Sequence, residues 1–190
     1  MLFLFTKILP AMDEKIKVGD LEFVKYIDAS EIDAAVDRVA AKVNEEYKND
    51  IPLILVTLNG AIMFAADLLK KLTVTCQVTC VKLASYAGTQ TTNEVKNVIG
   101  LTEDLKDRRV LIIEDIVDTG TTYEYLWNLL HEKGVKDVKM ATMTFKEDAY
   151  KKPYPVDFAG IVIQNKFVVG RGLDYNGLGR NLVHIYQVVR

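Results

Sequence analysis

Apolar positions along this chain recur with two different periods. Ile32, Val36, Val39, Val43 and Tyr47 follow three- and four-residue spacing. That is the stripe of an amphipathic helix, expected over about 31–48. Ser30-Glu31-Ile32-Asp33 precedes it like a capping box, with Ser30 as the expected cap. Ile51-Pro52-Leu53-Ile54-Leu55-Val56-Thr57-Leu58 is almost wholly apolar, as expected of a strand covered on both faces. Pro52 stands near its start, where a missing N–H costs least. A helix over about 61–71 and a strand over about 74–84 are expected next. From Tyr86 to Asn97 the chain turns polar and threonine-rich, and a loop of that length inside a compact domain is expected to be a lid or disordered. Val110-Leu111-Ile112-Ile113 is a second buried strand. A helix through Tyr125, Leu126 and Leu129 should follow and end near Gly134. Residues 138–145 and 158–163 read as further strands.

Strand, turn and helix recurring in this order predict an α/β fold, a mainly parallel twisted sheet flanked by helices. In such sheets ligands bind beyond the carboxyl ends of the strands. No repeat or linker divides the chain, so residues 12–190 are expected to form a single domain, with 1–11 as a disordered extension. The apolar run Met1-Leu2-Phe3-Leu4-Phe5 is broken at Lys7 and Pro10 and is too short for a signal or a span. The 190 residues carry 26 acidic and 24 basic side chains. This balance offers no basic footprint for nucleic acid and no polybasic membrane anchor, and the expected location is the cytoplasm. Cys76 and Cys80, four residues apart on an alternating stretch, would stand roughly 13 Å apart on a strand, beyond disulfide reach. Both are expected to be buried as small apolar residues.

The candidate chemistry lies after Ile113. Glu114 and Asp115 end the apolar strand, Asp118 follows, and Thr119-Gly120-Thr121-Thr122 leads into a helix. A glycine turn at a helix N-terminus presents unpaired N–H groups, and threonines add hydroxyl donors, which together suit a phosphate monoester. The carboxylates upstream would repel that phosphate unless they serve sugar hydroxyls or magnesium. Equally, Asp118 and Thr119 could do no more than cap the helix. No Gly-Lys-Ser/Thr follows, so this is not a Walker P-loop, and a single glycine makes no dinucleotide fingerprint.

The segment Val110 to Thr122 resembles the phosphoribosyl-pyrophosphate (PRPP) motif of type I phosphoribosyltransferases. Leu58-Asn59-Gly60, Ser85-Tyr86, Lys146, the run Lys166 to Tyr175 and Arg180 match, in order, the branch acting on hypoxanthine and guanine. The resemblance covers residues 18 to 190. It implies that fold, with a small hood built from N- and C-terminal segments. It also implies that Asp118, Thr119, Gly120, Thr121 and Thr122 cradle the 5′-phosphate while Glu114 and Asp115 face the ribose hydroxyls. Asp118 would be the catalytic acid or base beside purine N7. Lys146 would donate to the 6-oxo group, Phe167 would stack on the base, and the main chain of Val168, with Asp174, would line its edge. Asn59, Gly60 and Arg180 would meet the pyrophosphate. Mg²⁺ is the implied cofactor, held by Asp174 with Glu114 and Asp115. Ser85 and Tyr86 would belong to the lid. One departure is that Asn59 stands where many relatives carry Lys or Arg.

The implied function is purine salvage, the transfer of the phosphoribosyl group from PRPP to N9 of hypoxanthine or guanine. A preference for xanthine, or a PRPP-binding regulator on the same fold, are the alternatives. The implied partners are PRPP and a 6-oxopurine, with neither nucleic acid nor membrane, in a homodimer or homotetramer.

Overall fold

The computed structural model describes residues 15–85, 95–99 and 101–189. Strands β3 (Leu53–Leu58), β4 (Gln77–Ser85), β5 (Val95–Ile99), β6 (Arg109–Val117), β7 (Asp137–Phe145) and β8 (Phe158–Val162) form one sheet in the order β5-β4-β3-β6-β7-β8. Every pairing in it is parallel except that of β4 with β5. Helices α1 (Ala29–Glu46) and α2 (Ile62–Leu69) cover one face, and α3 (Thr121–Glu132) covers the other.

The all-apolar runs account for this layering. In β3, Ile54 and Val56 pack with α1 and α2 while Leu53 and Leu55 pack toward α3. In β6, Leu111 and Ile113 face the first layer, and Val110 and Ile112 the second. A strand whose successive side chains are all buried needs cover on both faces. The predicted stripe of α1 is buried as expected, from Ile32 to Tyr47.

A second sheet, antiparallel, joins the two ends of the chain. Its strands are β1 (Lys15–Val18), β2 (Leu21–Ile27), β10 (Ile185–Val188) and β9 (Val168–Val169), in that order. This is the expected hood, and its β9 brings Val168, with Phe167 just before it, against Asp115 and Asp118 of the main sheet's carboxyl end.

Several boundaries differ from the sequence expectation. Asp28, not Ser30, caps α1: its carboxylate accepts from Ser30 N at 3.0 Å and from Ser30 Oγ at 2.9 Å. His184 Nδ1 takes the next free donor, Ala29 N, at 2.9 Å. With Ser30 N satisfied by Asp28 and Ala29 N by His184, the helix starts before the Ser30 box. Strand β4 begins at Gln77, and Cys76 and Cys80 are free and half-buried against the core, not fully enclosed. The polar stretch ends in strand β5, which returns antiparallel on β4. Residues 1–11, expected to be an extension, and 86–94 lie outside the described residues. No described helix is long and apolar enough to cross a membrane.

Candidate active site

Strand β6 does not stop at Ile113. It continues to Val117 because β7 pairs with it as far as Phe145. Glu114 and Asp115 therefore sit inside a strand and point to opposite faces, and buried threonines secure the strand ends around them. Thr57 Oγ1 donates to Ile113 O at 2.8 Å, and Thr144 Oγ1 donates to Asp115 O at 2.9 Å.

Glu114 is buried, and its Oε1 has no hydrogen-bond partner among the described residues. Burial raises its carboxyl above the ordinary carboxylate range, and the neighbouring Asp115 charge adds to the effect. Asp115 is raised by burial, against hydrogen bonds from backbone N–H groups and the field of Arg180, with Asp174 adding least. The unpartnered oxygen of Glu114 suits a donor brought by a ligand, a sugar hydroxyl above all.

Past Val117 the chain turns through Asp118 and Thr119 to Gly120, which takes φ 83° at the N-cap of α3. A left-handed residue here favours glycine, and space demands it too, since a Cβ would stand 2.4 Å from Tyr150 Cε2. The turn walls a cavity of about 190 Å³ lined by Glu114 and Ile116 to Tyr123. The hydroxyls of Thr119 and Thr121 lie 3.1 Å apart at its mouth.

A second cavity, of about 220 Å³, shares Ile116 and Asp118 with the first. It is lined also by Asp115, Lys146, Lys166, Phe167, Val168, Leu173 and Asp174. Lys146 is buried, and its Nζ lies 2.6 Å from Asp118 Oδ2. Phe167 is 44% exposed, so its ring is no core residue. Phe23 and Tyr175 stand against it, the latter edge-on at 5.8 Å between centroids. Thus one cavity ends at hydroxyls and a helix N-terminus, the other has an aromatic wall with an ammonium and carboxylates, and Asp118 stands between them.

Asn59 and Gly60 follow β3 directly, and the Leu58–Asn59 peptide bond is cis. A Cβ on Gly60 would lie 1.8 Å from Asp115 Oδ2, and one on Gly172 would lie 2.0 Å from Gly60 O. The loop thus packs its backbone against the Asp115 carboxylate of β6 on one side and against Gly172 on the other. Arg180 joins this group by donating to Gly172 O at 2.6 Å and pairing with Asp174 Oδ1 at 2.7 Å. Gly177 N donates to the other Asp174 oxygen at 2.6 Å.

Glu114, Asp115, Asp118 to Thr122, Lys146, Phe167, Val168 and Asp174 line the two adjoining cavities, and Asn59, Gly60 and Arg180 reach them through Asp115 and Asp174. Ser85 ends β4 at the same edge of the sheet, whereas Tyr86 lies outside the described residues. Unforeseen were the lining positions Ile116, Lys166 and Leu173 and the packing role of Gly172. The Gly170-Arg171-Gly172 spacing was a usable signal for the last.

A mainly parallel sheet with an antiparallel hood, and a glycine–threonine turn leading from β6 into α3, make a site suited to a sugar phosphate. A phosphoribosyl transferase domain matches residues 26–176, and the chain belongs to the phosphoribosyltransferase family. Within it the relatives fall in the hypoxanthine–guanine branch. The chain is 34% identical over 173 residues to hypoxanthine-guanine-xanthine phosphoribosyltransferase of Tritrichomonas foetus, covering 90% of this chain and 93% of that protein. It is 36% identical over 167 residues to hypoxanthine-guanine phosphoribosyltransferase of Bacillus subtilis (strain 168), covering 87% and 92%. A crystal structure of hypoxanthine phosphoribosyltransferase from Staphylococcus aureus matches the fold with a TM-score of 0.81 at 30% identity, over 87% of this chain and 90% of that one.

Proposed function

We propose that the protein transfers the 5-phosphoribosyl group from PRPP to N9 of hypoxanthine or guanine, giving the nucleoside monophosphate and pyrophosphate in purine salvage. The observation that carries this reading is the pair of adjoining cavities with Asp118 on their shared wall. In it the Asp118–Thr122 turn holds the 5′-phosphate, and Glu114 and Asp115 accept from the ribose hydroxyls. Phe167 stacks on the base, Val168 and Asp174 line its edge, and Lys146 donates to its 6-oxo group.

The bond from the anomeric carbon to pyrophosphate breaks as the bond to N9 forms on the opposite face, inverting the configuration there. Positive charge develops on the ribose ring, and the buried carboxylates beside it are placed to stabilise that charge. Asp118 accepts the proton the purine gives up. Arg180 and the backbone of Asn59 and Gly60 meet the departing pyrophosphate.

The donor set fits a magnesium ion that takes most of its oxygens from the ligand and from water. Among the described residues no three acidic, histidine or cysteine side chains gather into a metal cluster, but Asp115 and Asp174 share the wall of the second cavity. Of the implied set Asp174, Glu114 and Asp115, the two aspartates would hold the ion, which when bound would neutralise charge on the leaving pyrophosphate, while Glu114 faces the first cavity with an unpartnered buried oxygen. The lid role of Ser85 and Tyr86 rests on the course of β4, which runs three residues past Lys82, its last residue paired with β3. Residues 12–190 serve as one domain in a cytoplasmic homodimer or homotetramer.

Formation of the nucleoside monophosphate from PRPP and hypoxanthine, with and without magnesium, tests this reading. A protein that binds PRPP and purine without product would be a regulator on this fold instead.

A further inference from the structure

The cavity assigned above to the 5′-phosphate lacks a countercharge. Among the described residues lining it there is no Lys, Arg or His, whereas Glu114 and Asp118 do line it. A phosphate monoester carries roughly −1.5 to −2 near neutral pH. Held by N–H groups and hydroxyls alone, it would face two carboxylates with no formal positive charge in the wall.

The segment after Lys146 folds back onto this turn. Tyr150 N donates to Lys146 O at 3.1 Å. A Cβ on Gly120 would lie 2.8 Å from Lys152 Cγ, so the lysine stem rests against the glycine of the turn. Its ammonium is 2.6 Å from Glu124 Oε2. Glu124 N donates to Gly120 O at 2.9 Å, which places this carboxylate in the first turn of α3 above the same glycine. The two side chains are 25% and 36% exposed, so the pair is neither sealed in the core nor free in solvent.

We propose that Lys152 is the countercharge of the 5′-phosphate, held by Glu124 while the turn is empty and shared with the phosphate once it binds. Beyond Cγ the stem rotates freely, and the ammonium, a point charge with three donors, can turn toward the cradle without backbone movement. A dianion competes well with one part-exposed carboxylate for that ammonium. Glu124 has the opposite effect on an anion at the N-terminus of α3, because it adds like charge to the first turn and occupies Lys152. The two partners of one ion pair should therefore move phosphate affinity in opposite directions. This inference rests on the reading of the Asp118–Thr122 turn as the phosphate site.

Calorimetric binding of GMP and of guanosine to the full-length protein tests it. Lys152→Met should weaken GMP by about fivefold to tenfold, and Glu124→Gln should tighten it by about twofold to fivefold, as for part-exposed charges. Lys152→Arg should keep wild-type affinity, and guanosine should respond to none of these changes. The shifts should shrink in high salt, where the screening length drops to about 3 Å at 1 M. If wild type prefers GMP to guanosine but both variants shift GMP the same way, or shift guanosine equally, Lys152 is a structural residue and the inference is overturned. If wild type shows no preference for GMP, the phosphate site itself is misplaced and the inference falls with it.

Discussion

Lys146 Nζ stands 2.6 Å from Asp118 Oδ2, with the lysine side chain 9% exposed and the aspartate 44%. The two groups assigned to the purine's 6-oxo oxygen and N7 thus pair with each other across the base cavity. In the proposed reaction an entering purine would exchange this ion pair for one contact to each partner. Asp118→Asn keeps the shape of the turn and removes the proton acceptor. Its kcat should fall by about 10²–10⁴, the usual contribution of a general acid or base, with the KM for PRPP little changed. Steady-state kinetics with both substrates checks this, and an unaltered kcat would reduce Asp118 to a member of the turn.

Gly60 is a matter of space. Its added Cβ would fall 1.8 Å from Asp115 Oδ2, a distance no side chain tolerates. Gly60→Ala should displace Asp115 from the ribose, lower kcat/KM for PRPP by about 10²-fold, and cost about 1–3 kcal/mol of stability as overpacking. Chemical denaturation together with PRPP kinetics measures both effects.

Glu114 should make stability fall as pH rises. Its carboxyl is raised in the folded state, first by burial and then by Asp115, so the native protein holds this proton more tightly than the unfolded chain. Stability is then lost as pH climbs above the ordinary carboxylate range. Glu114→Gln removes that slope. Without ligand, it should match wild type near pH 5 and exceed it near pH 8 by roughly 1 kcal/mol or more. Thermal melts across this range test the sign, and a wild type that gains on the variant toward alkaline pH would contradict it.

Much of this site was legible because its residues lie in sequence order on two short stretches. The apolar run ending at Ile113 marked a buried strand, and the acids and threonines after it marked where that strand meets ligand. What escaped depends on partners far along the chain. Strand β6 runs on to Val117 because β7 pairs there, and nothing local to Glu114 announces it. Asp28 outcompetes Ser30 as the cap of α1 because His184, 155 residues away, satisfies Ala29 N. Lys152 reads as one of two adjacent surface lysines until the fold lays its stem on Gly120.

Arg180 and Asn59 separate charge from backbone at the pyrophosphate. Arg180 is fixed by Asp174 and by Gly172 O, whereas Asn59 is exposed. Arg180→Ala should raise the KM for PRPP by about tenfold or more, as expected when a charged group loses its partner. Asn59→Lys should change it by no more than about fivefold, the range of an exposed charge. A hundredfold gain with the lysine would mean that this loop lacks a charged ligand.

The ratio of kcat/KM for hypoxanthine to that for adenine measures whether the cavity is built for a 6-oxopurine. The 6-amino group of adenine would meet the ammonium of Lys146 donor to donor. A site built around one such polar contact discriminates by about 10⁴-fold or more. A ratio of that order in favour of hypoxanthine is expected, with guanine also accepted. A ratio near one, with adenine turned over as well as hypoxanthine, would contradict it.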